Sequence, residues 1–374
     1  MMRGIFLLGA GIVAAGMLAG AASRGQAQER ESAVPRVNSV QMETRALNGS
    51  LGDEVKKWEE QAAQAQWLGY SIPAVAESRV GCCGDYDNGR NGAGGHCGNY
   101  RLEGRGDGSS INTGDGTVKL EAPRNLRILL RAENRQIGKV RVVDEDCALD
   151  SGGLRFVWLT GVKPPESVAL LEGFVLSSDF EQRKTDRFGN GALTAIALHA
   201  DSSADRALES FTSPDRPAAL RRQTTFWLGA ARGGAGFAVL KKLEKSETSQ
   251  EVRPQLPFAF SVSHEPEAVT EMIRMAKNDE SAHTRGQALF WLAQKAGQKA
   301  AGAITDAIEN DPDTSVKKQA VFALSQLPKD EGVPKLIEVA QNNHNLAVRK
   351  QAMFWLGQSN DPRALQFFEK VLTQ

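Results

Sequence analysis

Val348-Arg349-Lys350-Gln351-Ala352-Met353-Phe354-Trp355-Leu356-Gly357 is the last of five related stretches. Upstream the pattern reads LRRQTTFWLG from Leu220 to Gly229, VRPQLPFAFS from Val252 to Ser261, TRGQALFWLA from Thr284 to Ala293 and VKKQAVFALS from Val316 to Ser325. The glutamines Gln223, Gln255, Gln287, Gln319 and Gln351 mark a spacing of 32 residues that never slips. Seventeen residues after each marker stands another apolar side chain: Leu240, Met272, Ile304, Leu336 and Phe368. A degenerate sixth copy begins near Gly191, with Ala195, Ile196 and Leu208 in the matching columns. Self-similarity at this period predicts a stacked array.

Each copy reads as two helices. Val348, Ala352, Trp355 and Leu356 fall at i, i+4, i+7 and i+8, one stripe of a 3.6-residue helix. Gly357 is expected to end that helix in a left-handed turn. Asp361 and Pro362 then supply an N-cap and a first helical residue, and Ala364, Leu365, Phe368, Val371 and Leu372 form a second stripe. The repeat core is expected at Phe226, Trp227, Phe258, Phe290, Trp291, Phe322, Phe354 and Trp355. So wide an apolar arc needs cover from a neighbouring repeat. One repeat buries about six large side chains at roughly 1.5–3 kcal/mol each, whereas ordering its residues costs on the order of 1.5 kcal/mol apiece. No repeat folds alone, and stacking is the remedy.

The stretch VRKQAMFWLGQSNDPRALQFFEKVL resembles the short HEAT-like repeats first associated with phycobilisome lyases and common in exported bacterial proteins. No copy has the TPLHxA start of ankyrin repeats or the tyrosine of tetratricopeptide repeats. The resemblance covers 191–374, about half the chain, and implies an α-solenoid of about six helical hairpins.

One column is basic throughout: Arg221, Arg253, Arg285, Lys317 and Arg349. Two readings compete. A ladder of cations reaching carboxylates or carbonyls in the adjacent copy is structural, as HEAT-type arrays imply, whereas an anion-binding stripe is functional.

The first half is different. Arg3 precedes an apolar run from Ile5 to Ala22, and Gly25 and Ala27 stand where a signal peptidase cuts. Residues 1–27 are therefore expected to be a signal peptide, with membrane contact only if it stays unprocessed. Residues 28–162 are expected to form a β-rich domain. Asp53 is the candidate cap of a helix striped by Val55, Trp58, Ala62 and Ala65, and Trp67 to Pro73 follows as a strand. Leu126, Ile128 and Leu130, then Val140 and Val142, then Leu154 to Leu159 suggest a half-buried antiparallel meander. Pro164 and Pro165 mark a boundary, and 163–190 is expected to be a linker with a capping helix near Ser167.

Gly81 to Gly116 is dominated by glycine, asparagine and aspartate. Such a segment needs a tie to be ordered. Export favours disulfides among Cys82, Cys83, Cys97 and Cys147. The competing readings are zinc held by Cys82, Cys83, His96 and Cys97, and calcium held by the Asp85-Tyr86-Asp87-Asn88-Gly89 run. The expected fold class is thus α+β with two domains: a small disulfide-tied antiparallel β domain followed by the α-solenoid.

Lys+Arg 45 against Asp+Glu 45 leaves no net charge, which argues against a general nucleic-acid binder. The chain has no GxSxG, HExxH or P-loop, and no catalytic, metal or cofactor residues are assigned. The expected function is a non-catalytic scaffold, periplasmic or secreted, that binds a protein partner through the solenoid's concave, second-helix surface. A phycobilin-lyase-like enzyme is the alternative implied by the resemblance. A calcium-stabilised adhesion module is the one suggested by the glycine-rich loop.

Overall fold

Strand β1 (Val37–Asn38) opens the structure, a computed structural model that describes residues 34–39, 41–76, 100–103, 125–145, 147–181 and 187–373. The signal-like stretch, the glycine-rich loop with Cys82, Cys83, His96 and Cys97, and the aspartate-rich run lie outside those residues. Strand β2 (Met42–Ala46) leads into helix α1 (Leu51–Gln61). Its N-cap is Ser50 rather than Asp53: the Ser50 hydroxyl oxygen accepts from the Asp53 amide and its O–H donates to the Asp53 carboxylate. Asp53 is the third helical residue, and its amide is the donor that the Ser50 cap satisfies. Val55, Trp58 and Ala62 are buried as the stripe requires.

The remaining strands are β3 (Gln66–Pro73), β4 (Tyr100–Arg101), β5 (Asn125–Glu133), β6 (Gln136–Asp144), β7 (Leu149–Asp150) and β8 (Arg155–Thr160). The main sheet runs β2-β8-β3-β5-β6. This corrects the antiparallel meander. β5 and β6 do form an antiparallel hairpin beside β3, but β8 inserts between β2 and β3 and pairs parallel with both. Helix α1 supplies the crossover that parallel strands need. Phe156, Val157, Trp158 and Leu159 are all buried, as expected of a central strand covered on both faces.

The sheet is also more than half buried. Leu68, Leu126, Ile128 and Leu130 face the helices, while Trp67, Leu129, Val143, Phe156 and Trp158 meet Leu102, Cys147 and Leu149 on the other side. The expected disulfide tie is not seen among the described residues, which include one cysteine. Among the described residues no disulfide joins two cysteines, and the sheet is secured by its ladders and by a core continuous with the helical array. Cys147 alone of the four cysteines is described; it is buried and is not a free thiol.

Helix α2 (Pro164–Leu176) begins on the two prolines, which suit first-turn positions where no amide partner is needed. Then come six helix pairs: α3 (Arg187–Leu198) with α4 (Ser202–Phe211), α5 (Ala218–Ala231) with α6 (Gly233–Ser246), α7 (Leu256–Val262) with α8 (Ala268–Asn278), α9 (Ala282–Ala296) with α10 (Gln298–Asn310), α11 (Thr314–Ser325) with α12 (Lys329–Asn342), and α13 (Leu346–Gln358) with α14 (Pro362–Leu372). First helices stack on first helices through the array. Pro254 and Pro257 reduce the third of them to a 3-10 turn at Arg253–Gln255 followed by the short α7. Asp361 caps α14 by accepting from the Arg363 amide. α13, by contrast, runs through Gly357, and the left-handed residue is Asn360 at φ 50°.

The array meets the sheet where α3 crosses β6. A Cβ on Gly191 would lie 2.3 Å from the Val140 carbonyl oxygen, so only glycine permits this approach.

Candidate functional site

The basic column turns inward. Arg221 pairs with Glu247, both buried. The Arg253 guanidinium reaches Asp279 at 2.7 Å and donates to the carbonyls of Glu244 and Glu247 at 2.9 and 2.7 Å. Arg285 donates to Asp311 at 2.7 and 3.0 Å and to the Asp279 carbonyl at 2.8 Å. Lys317 donates to the Glu309 carbonyl at 2.6 Å, and Arg349 to the Asn343 carbonyl at 3.0 Å. Each arginine of the central rungs thus ties the end of the preceding second helix to the acid that closes its own repeat. Asp311 holds Arg285 above the ordinary guanidinium pKa.

The partner column is itself periodic. Glu247, Asp279, Asp311 and Asn343 stand at the C-caps of α6, α8, α10 and α12. Their side chains also accept from the amides of Ser249, Ser281, Asp313 and Asn345 at 2.7 to 3.0 Å, turning the chain into the next repeat. Sequence reading missed these residues, although their own spacing of 32 was the available signal.

The aromatic column faces outward in part. Trp227, Phe226, Phe258, Trp291, Phe290, Phe322, Trp355 and Phe354 form one unbroken chain of ring contacts across five first helices, with centroids 4.5 to 5.7 Å apart. The three tryptophans pack on the core from its edge, and every ring keeps some exposed surface, 54% in the case of Phe354. These rings are therefore not the fully enclosed core expected of them. The array's enclosed positions are Leu228, Leu240, Ala259, Phe260, Leu289, Ile304, Leu324 and their equivalents.

Beside the rings run the marker glutamines, each three residues before its phenylalanine. None of the five amides has a hydrogen-bond partner among the described residues, and the Gln319 Oε1 atom is buried without one. Trp355 lines a cavity of about 220 Å³ with Ser325, Gln326, Gln358 and Ser359, and its indole N–H also has no acceptor. None of the first helices from α5 onward carries Asp or Glu, and all but α7, which has Arg253 in the 3-10 turn before it, carry Lys or Arg. The second helices all carry acids, and a broader hollow there is lined by Asp330, Glu331, Lys335 and Glu338.

A third cluster lies at the junction of sheet and array. His199 Nδ1 is 2.7 Å from the Ala195 carbonyl, which can only accept, so Nδ1 carries the proton. His199 Nε2 then accepts from the Ser167 O–H at 2.9 Å, and Ser167 Oγ accepts from Tyr70 at 2.9 Å. The Arg232 guanidinium donates to the His199 carbonyl. Burial, reinforced by Arg232, pushes the imidazole down to about 4, and burial raises the Tyr70 hydroxyl above its ordinary value. The Ser-His contact resembles a nucleophile pair, but all three residues are fully buried, so it is a tie between β3, α2 and α3.

Among the described residues no group of three His, Cys, Asp or Glu is placed to hold a metal ion, and no helix is long and apolar enough to cross a membrane. The zinc and calcium readings fall on residues outside that range.

A family profile described as HEAT repeats matches residues 269–353 and 301–374. Two solved structures are similar to the chain. Human deoxyhypusine hydroxylase in complex with glycerol has 17% identity and a TM-score of 0.26, over 55% of this chain and 90% of that one. The complex of CpcE and CpcF of phycocyanin lyase from Nostoc sp. PCC7120 has 17% identity and a TM-score of 0.29, over 55% of this chain and 80% of that one. No curated protein matches the chain significantly. Residues 269–374 thus carry a HEAT-like repeat, within the helical array that runs from α3 to α14.

Proposed function

We propose that this protein is an exported, non-catalytic scaffold that binds a protein partner through its helical array, and that the docking surface is the aromatic strip on the first helices. The observation that carries this reading is the unbroken ring chain from Trp227 to Phe354, left partly open along five repeats. Eight rings of about 200 Å² each, exposed in part, offer on the order of 300 Å² of contiguous apolar surface, the size of the largest and often functional patch on a typical monomer. The charges of the Arg ladder are satisfied internally and stiffen the platform instead of binding. The first helices are preferred to the expected second-helix surface because the second helices carry mixed charge, and their exposed apolar side chains Leu365, Val371 and Leu372 stand together on α14 alone. Export rests on the Arg3 to Ala27 pattern, and processing there gives a new N-terminus at Gln28.

The test compares the full-length wild type with a Phe258→Ser, Phe322→Ser double variant of checked helicity. Both are immobilised and exposed to envelope extract of the source cell. One protein retained by the wild type and lost from the variant supports the strip; equal retention by both contradicts it.

A further inference from the structure

We propose that the strip binds an extended acidic peptide with apolar residues at every second position, its side chains set on the rings and its backbone on the glutamine amides. The inference rests on the strip being the docking surface.

Spacing restricts the ligand first. Phe226 to Phe258 and Phe290 to Phe322 are each 5.7 Å between centroids, and Trp291 bridges Phe258 to Phe290 in steps of 4.5 and 4.9 Å. An extended chain returns a side chain to the same face about every 6.6–6.8 Å, about 1 Å more than the spacing of those two pairs. A polyproline helix repeats its face about every 9.3 Å, longer than the 5.7 Å of those two pairs.

The amides restrict it further. An α-helix, with a turn of about 5.4 Å, would also follow the rings, but its backbone N–H and C=O groups are satisfied internally. Gln223, Gln255, Gln287 and Gln351, each with donors and an acceptor and no partner among the described residues, match a backbone whose polar groups are free, as along a strand edge, whereas the Gln319 amide packs on Gly286. The buried Gln319 Oε1 and Trp355 N–H lack partners within the chain.

Charge selects among extended peptides. Arg222, Lys318 and Lys350 stand one turn before Phe226, Phe322 and Phe354. Arg222 shares Glu251 at 2.8 Å, whereas Lys318 and Lys350 are exposed and have no charged partner among the described residues. Because these helices contain no acid, the charges left over beside the strip, on Lys318 and Lys350, are positive although the whole chain is neutral. Complementary charge favours acidic side chains at the outward positions and speeds encounter.

The test titrates the full chain, by calorimetry and tryptophan fluorescence, with a blocked ten-residue peptide alternating valine and glutamate. Controls are the same residues sorted into two blocks, an alternating valine-lysine peptide, and a helical alanine-glutamate peptide. The alternating acidic peptide is expected to bind at least tenfold tighter than any control. Its affinity is expected to fall with added salt and by about tenfold in the Lys318→Glu, Lys350→Glu variant. Gln223→Ala with Gln287→Ala weakens it without moving the melting temperature. No binding, equal binding of the controls, or preference for the helical peptide overturns the proposal. If a protein partner is still captured through the strip while the acidic peptide is ignored, the docking surface stands and the ligand class falls.

Discussion

The Arg285 guanidinium lies on the Asp311 carboxylate of its own repeat, with Nε 2.7 Å from Oδ2 and Nη2 3.0 Å from Oδ1, both side chains buried. Arg285→Ala strands a buried carboxylate and frees the Asp279 carbonyl. It is expected to cost about 3–5 kcal/mol in urea unfolding. Charge reversal with Arg285→Glu abolishes cooperative folding. The double variant Arg285→Met, Asp311→Leu recovers most of the loss, less about 1 kcal/mol for the cap to Asp313. Intact stability in Arg285→Ala would remove the ladder's structural role.

His199 makes stability depend on acid. Its folded pKa of about 4 lies below the ordinary 6.5, so the unfolded chain binds a proton first as pH falls. Stability is unaffected above about pH 6.5, declines from there, and reaches its full penalty of about 3 kcal/mol below pH 4. His199→Gln lacks that increment, and the difference between the two pH profiles isolates it from Glu43, which Arg45 and Arg155 hold down to about 2.

Gly191→Ala puts a methyl group against the Val140 carbonyl at 2.3 Å. Backbone cannot yield as a flexible side chain does, so α3 must lift from β6. The expected loss is about 1–3 kcal/mol, read as a lower melting temperature. Gly302, with nothing near its Cβ position, is expected to accept alanine with a small gain of about 0.5–1 kcal/mol.

Stacking makes burial depend on a repeat's neighbours. Val333 and Leu365 share one column, yet Val333 is 3% exposed and Leu365 61%. Val333→Lys should cost about 3 kcal/mol or more, and Leu365→Lys less than about 0.5 kcal/mol. Equal effects would mean that nearest-neighbour cover is not what holds the array.

The array was legible because its information is local and repeated: the glutamine register, the Asp361-Pro362 start and the buried Val348, Ala352 and Leu356 stripe all reappear in the fold. The sheet order was not, since nothing within Arg155 to Thr160 names β2 and β3 as its partners, although an apolar run without alternation hinted at a central strand. The cap of α13 was misplaced because Asn360 takes the left-handed conformation that Gly357 was expected to supply. The rings of the strip were read as core because periodicity fixes a column but not how completely the next repeat covers it. The acid column is harder to see because Glu247, Asp279, Asp311 and Asn343 share a spacing but not a residue type.

Site-specific photocrosslinking in the producing cell tests the docking claim most directly. A photoreactive residue placed in turn at Gln287 and Gln319, beside the rings, is expected to give a discrete adduct with one partner protein. The same residue at Lys335 and Glu338, on a second helix, is expected to give none. Adducts from Lys335 and Glu338 with none from Gln287 and Gln319 would contradict the account.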